Sequence, residues 1–325
     1  MDDEVITRLA GRSLLTAVAA TAVVFAATEL LPGDAGELKG AGRATEADLA
    51  EERERLGLDR PAPVRYADWL YDVLRGDVGH SFVSGRPVAE ILSERLPATL
   101  VLVAAALLIT AVMTAPALVV AHLRGGRGGA LATGLAAVPQ PVHAAVLGAV
   151  LAGLLGWLPP VSLLPPGGSP LAAPQALVLP ALTLAIPSAA FSVVLLRGTL
   201  DDVLRRPHVV DARLRGLPPV LLLYRHVLPF LRVPALHLAA LLAGGLTAGT
   251  ALVETMFGYP GTGQLLVSSI AVRDIPVVQS AALLPIGVLL LGMFLADLLT
   301  HRTAAPAPRP GERSRPASFL TGGAR

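Results

Sequence analysis

Six long apolar stretches dominate the chain and restrict what it can fold into. They cover residues 13–31, 98–121, 130–158, 176–196, 233–257 and 281–300. At 1.5 Å of helical rise per residue, each is long enough to cross a hydrocarbon layer about 30 Å thick. Only 15% of the 325 residues are charged while 53% are hydrophobic, too little charge to cover a water-soluble surface of this size. The expected fold is therefore an all-α polytopic membrane protein with six transmembrane helices, because a helix satisfies its own backbone polar groups in lipid. The first stretch follows Asp2, Asp3, Glu4, Arg8 and Arg12 and exceeds the usual signal-peptide core, so it reads as a retained helix.

Proline and small residues describe how the spans pack. Pro116, Pro139, Pro141, Pro180, Pro187 and Pro285 lie in or beside them; each removes an N–H, and neighbouring helices must satisfy the freed carbonyl. Clusters such as Gly148, Ala149, Ala152, Gly153 and Gly156, or Ala240, Ala243, Gly244, Gly245 and Gly249, allow close backbone approach where hydrophobicity cannot drive association.

Orientation follows from where the arginines fall. Arg124 and Arg127 occupy one short connection, seven arginines lie between Arg197 and Arg232, and five follow residue 300. The alternate connections hold no charge over 159–175 and only Arg273 with Asp274 over 258–280. The positive-inside rule then puts both termini in the cytoplasm. Residues 32–97, in which acids outnumber bases, form an extracytoplasmic insertion after the first helix. Short helices are expected there: one opened by Thr45 and Asp48, carrying Leu49 and Leu56 and ended by Gly57; one over 64–74; and one over 87–96. Residues 98–300 make the core of five further spans with a cytoplasmic loop at 198–232. The Pro-rich 301–325 tail has no packing pattern.

Chemistry of the usual catalytic kind has no foothold in the sequence. There is no cysteine, hence no disulfide or thiolate metal site, and the seven histidines show no metal-ligand spacing. A net charge of +2 gives no case for nucleic-acid binding. His143 and His237 fall inside spans, where hydrogen-bonded packing is the expected role. Glu29 and Glu254 sit near outer span ends. Asp297 sits near the inner end of the last span, where a structural pairing with an arginine of the cytoplasmic loops is expected.

Residues 201–232 are the strongest local oddity: amphipathic, arginine-bearing and interrupted by Gly216, Pro218 and Pro219. Two readings fit. One is a helix on the lipid surface. The other is a protruding knob of two short helices, with Ala212, Leu214 and Leu217 entering a partner's groove while Arg213 and Arg215 meet its acidic rim.

Several ordered segments resemble one family. LLPGD at 30–34, RLGLDRP at 55–61, LRGDVGHSF at 74–82, GRPVAEILSERLPATL at 85–100 and LVLPALTLAIP at 177–187 are joined by VVDARLRGLPPVLLLYRHVLP at 209–229 and VETMFGYPGTGQLLVSSIAVRDIPVVQ at 253–279. Together they resemble the inner-membrane permease subunits of peptide and nickel ABC importers, in particular the B-type subunit usually encoded first of the permease pair. The resemblance implies the type I ABC importer permease fold. It places Ala212, Arg213, Leu214, Gly216, Leu217, Arg225 and His226 in the segment that couples to the ATPase, with Gly216 at its bend. It makes Glu254, Phe257, Pro260, Gly261, Gly263, Arg273, Asp274, Pro276 and Gln279 the hallmark after the fifth span. The chain departs from the pattern at Glu29, where arginine is common, at Pro229 and Phe230, where Arg-Asn is common, at Met293, where asparagine is usual, and in its tail, which lacks the usual DPR end.

The implied partners are a second permease, two ABC ATPases that supply ATP and Mg chemistry, an extracytoplasmic solute-binding protein and the lipid bilayer. No cofactor is expected on this chain, which has no Walker A motif. Short peptides are the expected solute. Nickel or a nickel chelate is the alternative within the class, and a non-transporting membrane scaffold the alternative outside it.

Overall fold

A computed structural model describes residues 3–30, 60–124, 126–163 and 170–303. It is all helical, as the apolar blocks require. Among the described residues, five helices are long and apolar enough to cross a membrane, or six if one bent pair counts as a single span. We label α1 Asp3–Glu29, α2 Ala62–Leu74, α3 Val88–Leu123, α4 Gly126–Ala137, α5 Gln140–Leu147, α6 Pro174–Leu204, α7 Pro207–Leu214, α8 Pro219–Leu222, α9 Leu228–Phe257, α10 Thr262–Ala271 and α11 Ile275–Thr303.

Two boundaries differ from the sequence reading. The short helix expected over 87–96 is the first part of α3, which continues through Pro97 and Pro116. Proline stops only the hydrogen bond to the carbonyl four residues back, and that carbonyl can find another partner or water at a membrane face. The third apolar stretch is not one straight span: α4 and the helix that follows it meet at 95°. Pro139, in extended conformation at the start of α5, accounts for the break, since it cannot continue α4 and favours an extended residue before it. α5 then runs into a π-helical segment, Gly148–Leu154. The helix expected from Thr45 lies outside the described residues, as does the tail from residue 304.

The long helices run between two ends, each with its own core. At the Glu254 end, Leu102, Ala106, Leu179, Leu184, Val253 and Tyr259 pack together. At the Gly216 end, Leu118, Leu196, Val203, Val209, Val227 and Leu231 do so. Thus α3 and α6 descend side by side from the first end, and α9 returns antiparallel to them. α11 packs along α9; a Cβ on Gly244 would lie 2.5 Å from that of Leu289, so the two backbones approach as closely as the small-residue stripe allows. α1 packs on α11, and Gln279 Nε2 donates to Thr28 Oγ1 at 2.9 Å. Because α1 ends and α11 begins at this contact, the start of α1 and the end of α11 share the Gly216 end.

The helix expected near 64–74 forms α2. Its Tyr66 and Trp69 pack around Phe25 of α1, with centroids 5.5 and 5.8 Å from that ring. Arg65 of α2 pairs with Glu29 of α1. Glu29 therefore has a partner built for its sign.

Candidate functional site

The turn that joins α9 to α10 is organised by one buried carboxylate. α9 stops at Gly258, whose φ of 66° is left-handed, the usual glycine solution at a helix end. Tyr259 then folds back; it is fully buried and its hydroxyl donates to the Ala98 carbonyl of α3 at 2.8 Å. Burial pushes the Tyr259 phenol up from its ordinary value, so it stays a neutral donor.

Glu254, on the last turn of α9, is fully buried. Its Oε1 accepts from Thr99 Oγ1 at 2.8 Å and its Oε2 from the Gln264 N–H at 2.9 Å. Thr99 Oγ1 also accepts the Thr262 N–H at 2.8 Å. Gln264 and Thr262 lie in the first turn of α10, so the carboxylate faces free N–H groups at a helix start, where negative charge is favoured. Two glycines make the approach possible. A Cβ on Gly261 would sit 2.2 Å from Glu254 Oε1, and one on Gly263 would sit 2.4 Å from Ala251 Cα. Phe257 is buried beside them and Pro260 half-buried.

The second part of the hallmark forms a separate joint. Arg273 has φ of 55°, a left-handed turn between α10 and α11. Asp274 is buried; its carboxylate accepts from Ser81 Oγ and, at 2.9 Å, from the Phe82 N–H. Pro276 stands in the first turn of α11, where a missing N–H costs nothing. The structure thus brings Glu254, Gly261 and Gly263 together, ties Asp274 to the segment before α3, and uses Gln279 to reach α1. Sequence reasoning named these residues but missed their partners Thr99, Ser81, Tyr259 and Thr28. The first three lie within the matching segments; a small hydroxyl in an apolar helix such as Thr28 carries no signal of its own. α10 itself was read as loop.

At the opposite end, α7 and α8 make the elbow between α6 and α9. Gly216 has φ of 76°, and a Cβ there would meet nothing within 4 Å; the glycine is required by conformation, not by space. The Leu217 N–H closes the bend on the Ala212 carbonyl at 3.2 Å. Ala212 is buried in the chain's own core, and Leu217 packs against it. Ala212 thus faces inward, while Leu217 is half-buried. The most exposed apolar residues at the elbow are Leu214, Val220 and Tyr224, at 81%, 68% and 67%. Arg213 and Arg225 are exposed beside it, while Arg215 pairs with Asp211 at 2.7 Å. His226 stacks on His208 with centroids 6.5 Å apart. Phe230 lies beneath the Arg206 guanidinium at 4.5 Å, a cation–π contact. The elbow is thus a small folded knob with a mixed apolar and basic tip.

Asp297 does not pair with an arginine. Its Oδ1 meets His237 Nε2 at 2.8 Å, and His237 Nδ1 meets the Val233 carbonyl at 3.0 Å. Helix α9 supplies the partner because it packs along α11 in antiparallel register. His143, also expected to be hydrogen-bonded, is buried with neither ring nitrogen in a hydrogen bond. Among the described residues there is no group of three or more His, Asp or Glu placed to hold a metal ion.

Known proteins match nearly the whole chain in sequence. Residues 99–304 match the family described as binding-protein-dependent transport system inner membrane component, and residues 2–103 match its N-terminal companion. The chain is similar to a probable peptide ABC transporter permease of Sinorhizobium fredii, with 33% identity over 88% of this chain and 95% of that protein. It is 31% identical to a di/tripeptide transport system permease of Pseudomonas aeruginosa, over 90% and 95% of the two chains. A glutathione transport system permease of Salmonella typhimurium is 34% identical over 86% and 90%. By these matches the chain belongs to the inner-membrane components of binding-protein-dependent transport systems, a family of transport permeases rather than enzymes, which rely on partner subunits for ATP and Mg.

Proposed function

We propose that the chain is one half of the translocation path of an ATP-driven importer of short peptides. The observation that carries this reading is the similarity, over most of both chains, to permeases whose names specify peptides, di- and tripeptides or glutathione. The sequence between Arg127 and Arg197 is free of charge, which suits a path for solutes with varied side chains recognised through their backbones. In this reading the Glu254 end faces outward, where a solute-binding protein delivers peptide, and both termini are cytoplasmic. The Gly216 elbow docks in an ATPase groove through Leu214 and Arg213, a second permease completes the path, and two ATPases drive it. Asp274, Ser81 and Glu254 make the outer frame rigid enough to transmit that motion.

The test is reconstitution. The chain, co-expressed with a second permease, two ATPases and a binding protein of the same transport system, should form a complex that accumulates labelled tri-alanine in proteoliposomes only with ATP inside. Uptake of nickel in place of peptide, under the same conditions, would move the reading to the metal branch of the family.

A further inference from the structure

The break between α4 and α5 leaves one polar side chain without a partner. His143 is 8% exposed, and both of its ring nitrogens are buried with no hydrogen-bond partner. Between Arg127 and Arg197 the sequence offers no charged residue and no other histidine. A neutral imidazole has one donor and one acceptor, and enclosing both unmatched costs free energy that packing alone does not require.

The location adds a second observation. α5 begins at Pro139 after the 95° break, with no side-chain cap on its first turn. Gln140 Nε2 reaches the Gly249 carbonyl at 3.5 Å, eight residues before the end of α9. That places the start of α5 about 12 Å from the Phe257 end, towards the middle of the layer. A helix start inside a membrane presents partial positive charge. Cα–Cβ bonds tilt towards the helix N-terminus, so the imidazole of residue 143 covers the turn containing Gln140. Interrupted helices that open within the bilayer place such starts against anionic groups of a solute.

We infer that the start of α5, with Gln140 and His143, is a solute subsite that takes a carboxylate of the transported molecule. The inference rests on the import reading above and names the group recognised. His143 donates to the carboxylate alongside the backbone and side-chain N–H groups of Gln140 at the start of α5. The ring is enclosed in this conformation, where α5 packs on α6 and α9, so the subsite is reached when α5 parts from them during the cycle.

Proteoliposomes of the full complex would be given tri-alanine or its C-terminal amide, with the same binding protein throughout. Comparing variants against wild type cancels the binding protein's own preference. The wild-type complex should prefer the free carboxylate. His143→Phe, which fills similar volume, should lower that preference about tenfold or more, the size expected for a charge-assisted hydrogen bond. The loss should appear in KM for tri-alanine, with stimulation of ATP hydrolysis by loaded binding protein unchanged. His143→Gln, which keeps a donor, should retain part of it. If His143→Phe does not assemble, Gln140→Leu decides by the same ratio. An unchanged preference in the assembled variant overturns the subsite while leaving peptide import intact. A wild-type complex that takes up neither peptide removes the import reading and the subsite with it.

Discussion

Glu254 on α9 and Thr99 on α3 are joined by a 2.8 Å hydrogen bond, fully buried, across 155 residues of sequence. The same threonine accepts the Thr262 N–H. One hydroxyl and one carboxylate therefore hold three helices at the Glu254 end; Gly261 is small because the carboxylate occupies its side-chain space, and Gly263 because the Ala251 backbone does.

Removing this carboxylate should loosen the end without unfolding the spans. Glu254→Ala leaves the Gln264 N–H unmatched, at about 1–3 kcal/mol, while the Thr99 hydroxyl keeps Thr262 Oγ1 at 3.0 Å. Glu254→Gln should cost less, since one oxygen remains. Gly261→Ala should resemble Glu254→Ala, because its Cβ would fall on the carboxylate. Thermal aggregation of the detergent-purified permease pair checks the order. Gly261→Ala at wild-type stability would contradict the close approach.

The pair between α9 and α11 invites a different change. Ionised Asp297 and the Val233 carbonyl are both acceptors, so contacts at both His237 nitrogens require two hydrogens on the ring or one on the carboxyl group. Asp297→Asn can still donate to Nε2 of a neutral ring and should lose only the charge-assisted part, about 1 kcal/mol. Asp297→Ala leaves the nitrogen without its partner and should reduce the yield of assembled complex more. The pH dependence of uptake should not change in either variant if the contact is structural. Abolished pH dependence at normal yield would make it part of a proton path.

Five of the six expected spans were legible because lipid demands uninterrupted apolar length, a one-dimensional property; the 95° break in the third was not. Contacts were not. Nothing near Asp297 in sequence points to His237, sixty residues away, as its partner, and an arginine was the reasonable guess from charge alone. α10 was hidden because its ten residues are too few for a span and its first turn is capped from Glu254 and Thr99, outside the helix. The Gly216 bend was readable from one residue type; that Ala212 turns inward beneath it depends on tertiary packing that periodicity over eight residues of α7 does not fix.

Topology has a direct test, since a chain without cysteine gives no labelling background. Cysteines at Trp157 and Val272, both exposed, should react with an impermeant reagent in intact cells. Cysteines at Arg124 and Val220 should react only after the membrane is opened. Gly263 is unsuitable because a side chain there would strike α9. Labelling of Val220 from outside inverts the map.

The elbow at Gly216 carries the most specific prediction. Its φ of 76° lies in the left-handed region, which a β-branched residue adopts only with strain of about 1–3 kcal/mol. Open space around the missing Cβ means that Gly216→Val cannot act through a clash, so its effect reports the bend alone. Gly216→Ala should be milder than Gly216→Val for the same reason. The spans remain long enough to insert, and the permease pair should reach the membrane in normal amount. If the elbow docks the ATPases, the valine variant should co-purify with less of them and respond weakly to loaded binding protein. Arg213→Glu should also weaken docking, by reversing charge at an exposed position, and its defect should soften at high salt. Leu214→Asp should weaken docking with little salt dependence, since an 81% exposed leucine contributes by burial against a partner. Normal ATPase co-purification and stimulation in both Gly216→Val and Leu214→Asp, at equal permease yield, would show that the elbow is a membrane-surface turn and that the energy of hydrolysis enters elsewhere.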